Sequence, residues 1–85
     1  MTYRIQVLPS ATRELAGLDP QIRRRIDKRI QLLSETPRPA GMKALQGEKG
    51  LIRIRVGDYR VIYTVRDEVL LVIVVKVGHR REVYR

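Results

Sequence analysis

The chain has 85 residues, with 18 Lys+Arg against 9 Asp+Glu and a formal net charge of +9; this length accommodates one domain, read as 1–85. Zero cysteines and a single histidine, His79, exclude disulfide frameworks, thiolate metal sites and cysteine nucleophiles, leave no metal or cofactor to expect, and fit a reducing, cytoplasmic setting. No apolar run reaches the roughly 20 residues that span a bilayer, so no membrane partner is expected, and the positive excess calls for a polyanion or an acidic protein segment.

Residues 2–8 alternate Tyr3, Ile5 and Val7 with Thr2, Arg4 and Gln6, which predicts a half-buried strand stopped by Pro9. Ser10 is the expected N-cap of a short helix with an apolar face of Ala11, Leu15 and Leu18, ending near Gly17. Asp19-Pro20 then pairs a capping carboxylate with a proline suited to the first helical position. From there Ile22, Ile26, Ile30 and Leu33 recur at helical spacing, predicting an amphipathic helix to about Glu35 and, with its predecessor, a helical hairpin. The run Arg23-Arg24-Arg25 with Lys28 reads as a solvated helix face, supported in part by the spaced pair Arg23 and Asp27.

Thr36-Pro37-Arg38-Pro39-Ala40-Gly41 breaks the period and reads as a loop, followed by an irregular connection through Lys43, Leu45, Gly47 and Gly50. Strand patterns occupy 51–56 and 59–66, separated by Gly57-Asp58, a pair suited to a tight Gly-first primed turn. A further turn at 66–68 precedes 69–77, an apolar run suited to a strand buried on both faces, which Gly78 can break. The order β-α-α-β-β-β predicts an α+β fold, a small, mainly antiparallel sheet packed against an N-terminal helical hairpin.

A two-residue turn fixes the hairpin register: Val56 faces Tyr59, Arg55 faces Arg60, Ile54 faces Val61 and Arg53 faces Ile62. Cross-strand partners share a face. One face therefore carries Ile52, Ile54, Val56, Tyr59, Val61 and Tyr63 as core, and the other carries Arg53, Arg55 and Arg60. Like charges directly opposite one another are unfavourable, so stability is a poor explanation for this patch. A bound anion removes the conflict, and the arginine fork matches phosphate. The cluster His79-Arg80-Arg81 adds cations just beyond the last strand.

The stretch from Arg53 to Tyr63, followed by Val77-Gly78-His79-Arg80 and Glu82-Val83-Tyr84 and preceded by Lys43-x-Leu45-x-Gly47, resembles the RelE/ParE superfamily of toxin–antitoxin toxins, and its RelE branch in particular. The resemblance covers nearly the whole chain. It implies a RelE-like fold, a ribosome-dependent endoribonuclease that cuts messenger RNA in the ribosomal A site, and a cognate antitoxin that wraps the toxin into a hetero-oligomer. It also implies an active site lined by Arg53, Arg55, Arg60, Arg80 and Tyr84. Arg60, Arg80 and Tyr84 are the expected catalytic groups, and Lys43, Arg53, Arg55 and Arg81 the expected contacts to RNA phosphates.

Without metal ligands, such a nuclease would use the ribose 2′-hydroxyl as nucleophile on the adjacent phosphate. That step needs orientation, a base, an acid and cations around the developing oxyanion. Arginine suits the last role and not the base, since its pKa lies above about 12. The best-known RelE-type enzymes carry lysines where this chain has Arg53 and Arg55, and electrostatic stabilisation survives that exchange. Tyr84 could stack on a base or exchange a proton, the latter as base only if cations favour its phenolate. The competing readings are a non-enzymatic, ParE-like inhibitor of DNA gyrase and a plain basic RNA-binding module.

Overall fold

Two prolines start the two helices. The computed structural model describes residues 2–45, 47 and 50–79, so the expectations on Arg80, Arg81 and Tyr84 lie outside the described residues. Strand β1 (Arg4–Val7) runs into helix α1 (Pro9–Ala16), whose N-cap is Leu8 and not Ser10. No side chain caps that helix; the fixed φ of Pro9 and its missing N–H suit the first turn without one. Helix α2 (Pro20–Leu32) begins as expected, with the Asp19 carboxylate accepting the Gln21 backbone N–H at 2.9 Å. It ends at Leu32, short of Glu35, because residues 33–35 tighten into turns ahead of Pro37.

The remaining elements are β2 (Lys43–Ala44), β3 (Leu51–Val56), β4 (Tyr59–Arg66), a 3-10 turn (Asp67–Val69) and β5 (Leu71–His79). They form one sheet in the order β1-β5-β4-β3-β2, with β1 parallel to β5 and every other pair antiparallel. The α+β expectation holds, and the hairpin register is the expected one at all four positions. Gly57 takes φ +61 between β3 and β4 and Asp58 has no positive φ, as a Gly-first primed turn requires. The connection expected to be irregular contains the two-residue β2, too short to show any alternation.

Helices and sheet meet in one core. Ile26, Ile30 and Leu33 are essentially sealed against Ile54, Val61, Tyr63, Val72 and Val74, and each such aliphatic side chain contributes about 1.5–3 kcal/mol on burial. Strand β5 differs from its sequence reading in three ways. It starts at Leu71, after Leu70 turns the chain with φ 50. Val72, Val74 and Val77 are buried while Leu71, Ile73 and Val75 are only half-buried, so one face is sealed and the other is not. It also passes through Gly78 without breaking, since Gly78 pairs with Arg60 and His79 with Tyr59. A register shift leaves Lys76 opposite Ile62 and Val74 opposite Tyr63. Glu14 of α1 grips this irregular stretch, accepting the Val77 N–H at 2.9 Å and the Lys76 ammonium at 3.2 Å.

Candidate functional site

On the sheet face away from the helices, the β2–β3–β4 register puts Lys43 directly opposite Arg53 and Arg55 directly opposite Arg60. Two like-charge pairs thus stand side by side, an arrangement that cross-strand neighbours disfavour. Gly41, Lys43, Arg53, Arg55 and Arg60 line one concavity of about 270 Å³. Among the described residues, this gathers every cation expected to hold phosphate.

The four cations are not equivalent. Lys43 and Arg55 are exposed and Arg53 is half-buried, whereas Arg60 is only 8% exposed. The hairpin pattern alone places all three arginines on an open face; the structure corrects this for Arg60. It lies on β4, flanked by β3 and β5, and its β5 partner is Gly78. Arg60 therefore forms the floor of the concavity, with Lys43 and Arg55 on its rim. A guanidinium buried this far has less rotamer freedom left to lose when an anion arrives.

The rim is positioned by the 36–42 loop, which the sequence marks only as a loop. The Tyr63 hydroxyl, on the core face of β4, donates to the Pro37 carbonyl at 2.7 Å. Burial pushes that phenol up to about 12. Arg38 donates to both Asp67 oxygens at 3.1 and 2.8 Å, and the Tyr3 hydroxyl donates to the same carboxylate at 2.7 Å. Arg38 first, and Tyr3 second, hold the Asp67 carboxyl down at about 2. Three separate chain segments are thereby clasped together. The loop then turns through Gly41 at φ +88, a conformation suited to glycine, to deliver Lys43. Gly41 in a Pro-rich loop is the one signal in the sequence that could have marked this device.

His79 stacks edge-on against Tyr59 with ring centroids 5.4 Å apart, on the helix side of the sheet. It therefore faces away from the arginine concavity. The spaced pair Arg23 and Asp27 does not close: the ion pairs among the described residues are Arg38–Asp67 and Lys76–Glu14.

A family model described as the ParE toxin of type II toxin–antitoxin systems matches residues 5–84. The chain belongs to the RelE/ParE family of toxins. It is 30% identical to the toxin RelG of Mycobacterium tuberculosis over 86 aligned residues, covering 100% of this chain and 99% of the relative. Among solved structures it is similar to the toxin–antitoxin complex RelBE2 of Mycobacterium tuberculosis, at 30% identity and a TM-score of 0.85 over 94% of this chain and 93% of the other. The archaeal RelE–RelB complex of Pyrococcus horikoshii gives 30% identity and a TM-score of 0.82 over 94% and 97%. These relatives place the chain in the RelE branch and support the RelE-like fold, while the family model carries the ParE description.

Proposed function

We propose that this RelE-like toxin is a ribosome-dependent endoribonuclease that cuts messenger RNA in the A site and so stops translation in the cytoplasm. The observation that carries the reading is the concavity that Lys43, Arg53 and Arg55 line together with the buried Arg60. A phosphodiester seated there meets cations on several sides. The substrate's own 2′-hydroxyl attacks the adjacent phosphorus, the P–O5′ bond breaks, and the products are a 2′,3′-cyclic phosphate and a 5′-hydroxyl end. Because the nucleophile comes from the RNA, the step does not call for a metal-bound water.

Arg60 stabilises the charge that grows on the non-bridging oxygens, an interaction strongest in the transition state. Lys43, Arg53 and Arg55 hold and orient the flanking phosphates, joined in this proposal by Arg81. Arg80 completes the cationic cage. Tyr84 orients a base by stacking or exchanges the proton at one end of the reacting chain of atoms. A cognate antitoxin is the proposed partner, forming a hetero-oligomer as in the relatives solved with theirs.

The test is primer extension on messenger RNA with purified toxin, with and without programmed ribosomes, alongside Arg80→Ala and Tyr84→Phe. Cuts confined to the A-site codon, dependent on ribosomes and weakened in both variants, are the expected result. Intact messenger RNA together with a response in a supercoiling assay would favour gyrase inhibition, a reading supported by the ParE name of the matching family model. Salt-sensitive RNA binding without scission would leave a plain RNA-binding module.

A further inference from the structure

The like-charge pairs of the concavity have to be held in place. Lys43 stands opposite Arg53 on β2, a strand of two residues, and repulsion between the two side chains pushes β2 away from β3. Beyond Lys43 the chain is steadied by the Leu45 N–H, which donates to the Leu51 carbonyl at 3.0 Å. Before Lys43 the support comes from the 36–42 loop. Pro37 and Pro39 have fixed φ, the Met42 N–H closes a turn onto the Pro39 carbonyl at 3.1 Å, and Tyr63 and Asp67 anchor Pro37 and Arg38. A loop this stiff passes on to Lys43 the placement it receives at Arg38.

The anchor at Asp67 is more elaborate than stability explains. One carboxylate takes two bonds from Arg38, at 3.1 and 2.8 Å, and a third from Tyr3 at 2.7 Å, joining a residue ahead of β1, the loop and the turn after β4. Yet the Arg38 and Asp67 side chains are 45% and 54% exposed, and an ion pair so exposed adds little to stability. Held down at about 2, the carboxyl is ionised across the neutral range, so pH does not open the clasp there. Nor does the Asp67 charge reach the concavity directly. Asp67 follows the last residue of β4 and Arg60 is the second, a separation of roughly 20 Å at about 3.3 Å per residue, against a screening length of about 8 Å in physiological salt.

We propose that Asp67 and Arg38 are positioning residues for RNA cutting: their clasp holds the 36–42 loop so that Lys43 stays against Arg53 before a phosphate arrives to relieve the repulsion. The inference rests on the reading of this chain as an endoribonuclease. Neither residue lines the concavity; both act through Lys43. What the clasp supplies is preorganisation, since a cation already in place need not be gathered when the substrate binds.

The experiment measures A-site cutting on programmed ribosomes by the full chain, comparing wild type with Asp67→Ala, Arg38→Ala, Lys43→Ala and the two double variants that combine a clasp change with Lys43→Ala, each checked by a thermal melt. Asp67→Ala and Arg38→Ala are each expected to lower cutting about fivefold, although the first adds a unit of positive charge and the second removes one. In the Lys43→Ala background either change adds less than about twofold, and amide exchange at 40–43 quickens in both single variants. Wild-type cutting by both folded single variants overturns the proposal. So do shifts of opposite sign that follow the change in net charge, and so do losses that repeat in full in the Lys43→Ala background, which would mark the clasp as a support of the fold at large. Absence of cutting by wild type overturns the endoribonuclease reading itself, and the inference with it.

Discussion

The two ends of strand β4 both gather arginine and use it differently. Near its start, Arg60 lines the concavity with Lys43, Arg53 and Arg55, and no acid is among the lining residues. Just past its end, Arg38 and Tyr3 converge on the carboxylate of Asp67. Net charge alone cannot tell these apart. A cluster of opposed like charges is relieved by a small, highly charged anion, whereas a cation paired with a carboxylate already has its partner and fixes the chain that carries it. One segment is common to both: the 36–42 loop is anchored at Arg38 and contributes Gly41 to the concavity.

The comparison breaks most decisively at Arg60. Arg60→Ala is expected to lower the A-site cutting rate by about 10² to 10³, the usual cost of removing one donor to a developing oxyanion, well beyond the loss from opening the clasp. Equal losses in Arg60→Ala and Asp67→Ala would mean that the two regions do not differ in role. A melting curve checks that the substitution leaves the fold intact.

Tyr63→Phe acts on the shared loop. It removes the bond to the Pro37 carbonyl, with an expected loss of about 1 kcal/mol and a fall in melting temperature of about 4–8 °C for a domain of this size. Cutting should weaken with it, since the loop carries Lys43 into the concavity. Calorimetry on the variant measures the first effect, and the A-site cutting assay measures the second.

Salt sharpens the distinction further. If Arg55 contacts one phosphate, Arg55→Ala should flatten the slope of log affinity for single-stranded RNA against log salt by about 0.7. Arg38→Ala, which removes a cation already paired with Asp67, should change that slope less. Affinity titrations at several salt concentrations decide between these outcomes.

The smallest effects concern pH and the clasp. The Asp67 carboxyl is held at about 2 in the folded chain against an ordinary 3.8, so the unfolded chain binds the extra proton first as pH falls. The contribution of the clasp is complete above about pH 4 and is lost between there and pH 2. At the other extreme, the Tyr63 phenol is raised to about 12 from 10, so the unfolded chain loses that proton first and stability falls as pH rises from 10 towards 12. Melting temperatures of Asp67→Asn and Tyr63→Phe across these windows should each lose the matching slope.

What the sequence makes legible is local. Period-two alternation around Gly57-Asp58 fixes which hairpin residues face the core, because a slip of one residue would bury the arginines. That is enough to bring Arg53, Arg55 and Arg60 together on paper. It does not separate floor from rim, because the depth of Arg60 goes with its place on β4 between β3 and β5, and β5 meets β4 there across 18 residues of sequence. The parallel placement of β1 on β5 and the two-residue β2 are equally non-local. The clasp is hidden for the same reason: Tyr3, Arg38 and Asp67 read as residues of a strand, a loop and a turn, and only the folded chain brings the first two onto the carboxylate of the third. The roles proposed for Arg80, Arg81 and Tyr84 rest on the family resemblance.

The most direct test of the division of labour is a single cutting assay on programmed ribosomes with two charge-altered variants side by side, Arg53→Gln/Arg55→Gln in the concavity and Arg25→Glu/Arg29→Glu on α2. Cutting should collapse in the first and persist near the wild-type level in the second, although the α2 variant carries the larger change in net charge. Equal loss in both would show that bulk positive charge drives the activity, and would contradict the assignment of cleavage to the Arg60 concavity.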